Sequence, residues 1–227
     1  QCKECKGDYP VTLLEDGVCV YCSADAAAQT AQNLDQQKLQ EPVQELDAQK
    51  EAQKELARRI LSRKRLLPFV ERFNPDYSAG WVHKDICKRL EQFSQDVVDK
   101  KSPRLMLFMP PRHGKSTLAS VSYPAWHLGR NPKHEFISCS YSGSLAMAFS
   151  RKVRHLLREP LYKNVFADSK LDPQSQSVES WLTTEGGGYV AAGVGGGITG
   201  KGAHVLVIDD PVKNREDAES EFNRESV

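Results

Sequence analysis

A mostly parallel α/β sheet is predicted by two apolar runs that end at chemically loaded loops, and by the helical patterns between them. The first run, Leu105-Met106-Leu107-Phe108-Met109, stops at Pro110-Pro111 and passes through Arg112 and His113 into Gly114-Lys115-Ser116-Thr117, where a helical pattern begins. The second, Val205-Leu206-Val207-Ile208, is followed by Asp209-Asp210 and Pro211. Continuous apolar runs of this length read as strands buried on both faces of a parallel sheet. Four cysteines ahead of them predict a small separate module.

The order strand, short loop, helix is that of a phosphate-binding loop, placed here at residues 109–117. Backbone N–H groups of such a loop and the positive end of the helix face one anionic phosphate chain. Pro111, Arg112, His113, Gly114, Lys115, Ser116 and Thr117 form the expected ATP-binding segment, with Lys115 reaching the β- and γ-phosphates and Ser116 ligating Mg²⁺. The loop departs from the general G-x-x-x-x-G-K-[ST] pattern at its first position, Met109. The competing reading of Gly-Lys-Ser is a chance helix cap.

At the second site, residues 205–210, ligand-binding groups belong at the carboxyl end of the strand. Two adjacent acids there divide the labour. Asp209 would hold the Mg²⁺ shell, and Asp210, on the other side of the chain, would polarise the attacking water. A solvated Asp-Asp-Pro turn is the plain alternative, and the phosphate loop upstream weighs against it.

Between these sites the chain alternates. Pro124 should kink or break the helix after the loop, and Gly129 and Pro132 mark its exit. Residues 135–140 read as a strand. Ser142 or Ser144 caps a helix running through Arg158 and stopped at Glu159-Pro160. Its Leu145, Phe149, Leu156 and Leu157 would face the sheet, and its basic residues, Arg151, Lys152, Arg154, His155 and Arg158, would face outward. Trp181-Leu182 and Tyr189–Ala192 predict a hairpin across Glu185–Gly188. The glycine-dense run from Gly193 to Gly202 lacks the helix that a dinucleotide fingerprint requires.

The four cysteines stand as Cys2-x2-Cys5 and Cys19-x2-Cys22. Such spacing is that of a zinc ribbon whose four thiolates would close a structural tetrahedral site. Two disulfides are the alternative in an oxidising compartment. With so few apolar residues, the metal would supply the folding energy of residues 1–23. Residues 24–65, rich in Ala, Gln, Glu, Asp and Lys, read as a helical spacer, in which Ser23 can cap a first helix and Pro42 fits the first turn of a second. The basic stretch Arg58 to Arg65 could touch DNA phosphates. A solvated face with Leu56, Ile60 and Leu67 packed inward is the stronger reading. The ATPase-like domain then occupies 66–227, opening with a helix over 81–93 that presents Ile86, Leu90 and Phe93 on one face.

Composition sets bounds on this. With 227 residues, 39% of them hydrophobic, and a net charge of +1, the chain can bury one α/β core plus a small module, and it carries no global nucleic-acid signature. No apolar run approaches a membrane span. No secretory signal is visible. The absence of an initial Met suggests a processed, trimmed or internal start.

The chain resembles the N-terminal part of tailed-phage terminase large subunits. The resemblance rests on Met109 through Ser116, the segment Tyr123-Pro124-Ala125-Trp126-His127-Leu128-Gly129-Arg130-Asn131-Pro132, Ser140-Tyr141-Ser142 with Leu145-Ala146, and the glycine-rich approach to Ile208-Asp209-Asp210-Pro211; it covers roughly 58–220. It implies a P-loop NTPase of the additional-strand class, incomplete at its C-terminus, that hydrolyses Mg·ATP to drive double-stranded DNA into a procapsid. It also implies a catalytic set of Lys115, Asp210 and Arg112, the arginine reaching the γ-phosphate. Partners would be DNA, the portal and procapsid, a terminase small subunit and further copies in a ring, in the host cytoplasm, with no membrane. Tyr77, Trp81 and His83 would lie near the adenine. Asp210 stands where many packaging ATPases carry glutamate, with Glu216 as the alternative. A coupling motif, further strands and a nuclease domain are expected beyond Val227. The rival functions are another DNA-dependent translocase or helicase, and a non-hydrolysing nucleotide-binding protein whose zinc ribbon binds a partner.

Overall fold

The computed structural model describes residues 45–198 and 200–221, with residues 3, 14, 15, 18, 19, 22 and 29. The chain divides into two compact units, Gln1–Leu56 and Ala57–Val227. In the first, β1 (Leu14–Glu15) and β2 (Val18–Cys19) pair antiparallel, with Leu14 opposite Cys19, and residues 45–56 are helical. The expected zinc ligands Cys2 and Cys5, the cap Ser23, Pro42 and the side chain of Cys19 lie outside the described residues.

The second unit opens with helical residues 57–64 (α1), then α2 (Leu66–Phe73) and α3 (Trp81–Val98). A π-helical stretch, Thr117–Ser122, runs directly into α4 (Tyr123–Arg130). There follow β3 (Glu135–Ser140), α5 (Gly143–Arg158), α6 (Pro160–Val165), β4 (Leu171–Gln176), β5 (Ser180–Thr183), β6 (Gly188–Gly193), β7 (Val205–Asp209) and α7 (Arg215–Glu219). The result is a mixed α/β architecture around one five-stranded sheet of order β4-β5-β6-β3-β7. The ladders β6–β3 and β3–β7 are parallel, while β4–β5 and β5–β6 form an antiparallel arm. Parallel pairing brings the carboxyl ends of β3 and β7 to the same side, with Ser140 opposite Asp209.

Period-two alternation decides which face each side chain serves. Phe136, Tyr189 and Trp181 are in register across three strands and stack, with centroids 5.5 Å apart for Phe136–Tyr189 and 5.2 Å for Trp181–Tyr189. The Trp181 indole N–H donates to Ser150 Oγ on α5 at 3.0 Å, which fastens that helix to the sheet. Trp126 is fully buried and donates from its indole to the Ser62 carbonyl at 3.1 Å. Truncating a buried aromatic of this kind costs about 3–5 kcal/mol. On the opposite face Ile137, Cys139 and Ala192 make a smaller cluster under Val190 and Ile198.

Several local expectations hold for stated reasons. Ser142 caps α5, its hydroxyl accepting from Leu145 N–H at 3.3 Å. Glu159 is extended, the conformation favoured before proline, and Pro160 starts α6. Gly193 is required by packing, because a Cβ there would lie 2.6 Å from the Gly143 nitrogen at the start of α5. Arg154 and Arg158 both bond to Gln176, so they tie α5 to β4 and are less free than an outward basic face implies.

Three expectations are corrected. Residues 105–109 are not a strand: they carry no regular structure and pair with no strand among the described residues. The alternation is still there, with Leu105, Leu107 and Met109 packed against the core and Met106 and Phe108 left 80% and 89% exposed. A strand exists only with a hydrogen-bonded neighbour, and β7, whose Leu206 and Ile208 are also exposed, stands at the sheet edge. Of the two outcomes expected at Pro124, a kink or a break, the break does not occur. The preceding turns are widened to π geometry, Tyr123 N–H bonding the Leu118 carbonyl, which absorbs the missing donor. Leu56 and Ile60 do not pack inward; they are 58% and 46% exposed, and Leu66 fills the core instead.

Candidate functional site

The segment Pro111–Thr117 leads from the exposed prolines into the helix that carries α4. Pro111, Arg112, His113 and Thr117 are exposed, and Gly114, Lys115 and Ser116 are half-buried. Two residues adopt left-handed backbone, Arg112 at φ 63° and Gly114 at φ 82°. Glycine carries no penalty there, whereas an arginine in that region stores strain, which concentrates at functional loops. Leu118 N–H bonds the Gly114 carbonyl at 3.0 Å, so the helix starts at the glycine and Lys115 and Ser116 occupy its first turn. A cleft of about 380 Å³ adjoins the loop, lined by Leu107, Phe108, Met109, Pro110 and Lys115.

The two motifs of the sequence meet at Lys115. Its Nζ lies 2.7 Å from Asp210 Oδ1 and 3.8 Å from Asp209 Oδ1. The hydrogen bond to Asp210 raises the lysine pKa above its ordinary value, with a smaller contribution from Asp209 and against the lowering effect of burial. Because Asp210 is 60% exposed, solvent screens that ion pair to about 1 kcal/mol or less. The two carboxylates differ as their positions demand. Asp209 ends β7 on the helix-facing side, is 6% exposed, and accepts from Ser120 Oγ at 2.8 Å. Asp210 turns left-handed at φ 47°, a conformation aspartate tolerates, and its carbonyl accepts from Tyr141 N–H at 3.1 Å. Glu216 sits exposed on α7.

Ser120 was not foreseen. It lies one helical turn beyond Ser116, and that spacing was the only available signal. His83, expected near the adenine, makes a contact with the loop itself. It bonds through one ring nitrogen to Gly80 N–H at 3.0 Å and through the other to the His113 carbonyl at 2.9 Å, with Tyr77 edge-on to its ring at 5.7 Å. Burial first, then Cys87 and Glu71, push the Tyr77 hydroxyl up to about 12. Trp81, at the start of α3, is 81% exposed. Hydroxyl and carboxylate oxygens such as those of Ser116 and Asp209 are the donors a Mg²⁺ ion takes. The lysine ammonium beside the acid pair shows that this pair attracts a cation.

Residues 106–226 match a family model described as terminase large subunit, T4likevirus-type, N-terminal. The chain belongs to this terminase family. The match includes Lys115, Asp209 and Asp210, and with them the whole five-stranded sheet. Among curated proteins none matches this terminase chain. No helix among its described residues is long and apolar enough to cross a membrane.

Proposed function

We propose that this terminase chain binds Mg·ATP at the loop 109–117 and hydrolyses it to move double-stranded DNA during packaging of a phage genome. One observation carries the reading: Lys115 of the loop lies against both carboxylates at the end of β7. A γ-phosphate bound at the helix start would compete for the same ammonium and release Asp210 toward the attacking water. Lys115 and the loop amides would hold the β- and γ-phosphates, and Arg112 would meet the γ-phosphate. Ser116 and Asp209 would hold the Mg²⁺, with Ser120 fixing the Asp209 carboxylate. When bound, that ion would neutralise phosphate charge. Four thiolates, Cys2, Cys5, Cys19 and Cys22, would close a structural zinc site in the N-terminal module. Family membership supports DNA and packaging partners such as the portal or a small subunit.

Steady-state phosphate release with and without double-stranded DNA tests the proposal. DNA should stimulate turnover, and Lys115→Ala should abolish it while the protein stays folded. Turnover by Lys115→Ala at the wild-type rate would remove the basis of the assignment.

A further inference from the structure

One side chain from outside the loop holds its backbone. His83 is the third residue of α3, whose N-cap is Gly80. Its Nδ1 accepts from Gly80 N–H at 3.0 Å, the reach-back that a glutamate or glutamine makes in a capping box. Its Nε2 lies 2.9 Å from the carbonyl oxygen of His113. A backbone N–H only donates and a carbonyl only accepts, so the two partners fix the ring as the neutral tautomer protonated at Nε2. Tyr77 packs edge-on against that ring at 5.7 Å. Gly114 closes over the same spot, with the position of an added Cβ 3.8 Å from His83 Nε2 and 3.9 Å from the Tyr77 hydroxyl.

The bond to His113 has a geometric consequence. In a trans peptide the C=O and the following N–H point in opposite directions. Holding the His113 carbonyl toward α3 therefore turns the Gly114 N–H away from α3. This peptide joins His113 to Gly114, the second of the two left-handed residues, whose lack of a Cβ leaves its φ permissive.

We propose that His83 is a positioning residue for nucleotide binding: its Nε2–H pins the His113–Gly114 peptide so that the Gly114 N–H is presented to the phosphates. This rests on the nucleotide-loop reading above. The α3 cap and the loop are thereby one hydrogen-bonded unit, and the imidazole serves both ends.

The two ends are separable by substitution. His83→Gln retains an N–H donor at the distance of Nε2 and should rescue the loop bond. His83→Asn is too short for that bond yet can still accept from Gly80 N–H. Mg·ATP affinity would be measured by fluorescent-nucleotide titration of the full protein, beside melting without nucleotide and with Lys115→Ala as the reference. The expected result is near wild-type affinity for His83→Gln and a loss of about tenfold for His83→Asn, the equivalent of one hydrogen bond. Both should melt close to wild type. Wild-type affinity in His83→Asn would overturn the proposal. So would equal losses in both variants that track their melting temperatures, since the ring would then be only structural. If Lys115→Ala binds normally, the nucleotide-loop reading itself fails; if only Lys115→Ala loses binding, the loop stands and the role of His83 falls.

Discussion

His127 should govern much of the acid sensitivity of the second unit. It is fully buried on α4, hydrogen-bonded through Nδ1 to Ser94 Oγ at 2.8 Å and through Nε2 to His134 Nδ1 at 3.1 Å. Burial first, then the neighbouring His134, Arg130 and His204, lower its pKa from 6.5 to about 3. The folded chain thus keeps His127 neutral while the unfolded chain takes up a proton. Its effect on stability is absent above the unfolded value and grows as pH falls toward the folded one. At pH 5 the unfolded imidazole is protonated and the folded one is not, a difference of about 1.5 pK units and so of roughly 2 kcal/mol. Urea unfolding at pH 7 and pH 5 would measure it in the wild type and in His127→Gln. The variant should be less stable at pH 7 but lose about 2 kcal/mol less on acidification. His134, whose pKa is also lowered by burial, remains in both proteins, and glutamine at position 127 keeps a polar group beside it. An equal loss in the two proteins would show that His127 is not the group that takes up the proton on unfolding.

Other substitutions probe the site. Ser120→Ala removes the hydroxyl that satisfies buried Asp209, and should lower stability by about 1–3 kcal/mol in thermal melts and weaken the Mg²⁺ dependence of nucleotide binding. Asp210→Asn should spare Mg·ATP binding and stop phosphate release. Glu216→Gln should hydrolyse normally, and the reverse pattern would transfer the water-orienting role to Glu216. Asp209→Asn should raise the Mg²⁺ concentration needed for half-maximal binding, and an unchanged requirement would detach Asp209 from the metal.

Much of the site was legible because its residues are local in sequence. Gly114 to Thr117 announce a helix start, and Val205–Asp209 announces a strand ending in acid; nothing beyond periodicity and turn chemistry was needed. The Ser142 cap and the β5–β6 hairpin were readable for the same reason. What was not legible depends on distant partners. The run 105–109 alternates like a strand, but strand formation needs a neighbour, and its local pattern cannot say whether one is present. Pro124 carries a local penalty that a π-helical turn can absorb, which only the packing of Tyr123 and Trp126 into the core reveals. β4 contains Asp172 and Pro173 and has no apolar period, so pairing with β5 alone defines it. Ser120 acts on a group 89 residues away, and His83, named only for its place near the adenine, bonds a carbonyl 30 residues away; spacing rules span neither separation.

Equilibrium binding of Mg·ATP to the wild-type protein and to Lys115→Ala, followed by calorimetry, shows whether the loop and the β7 acids form one nucleotide site. The wild type should show a single Mg²⁺-dependent binding event and the variant should lose it, with the melting temperature unchanged in the absence of nucleotide. Equal affinity in the two proteins would contradict a shared site.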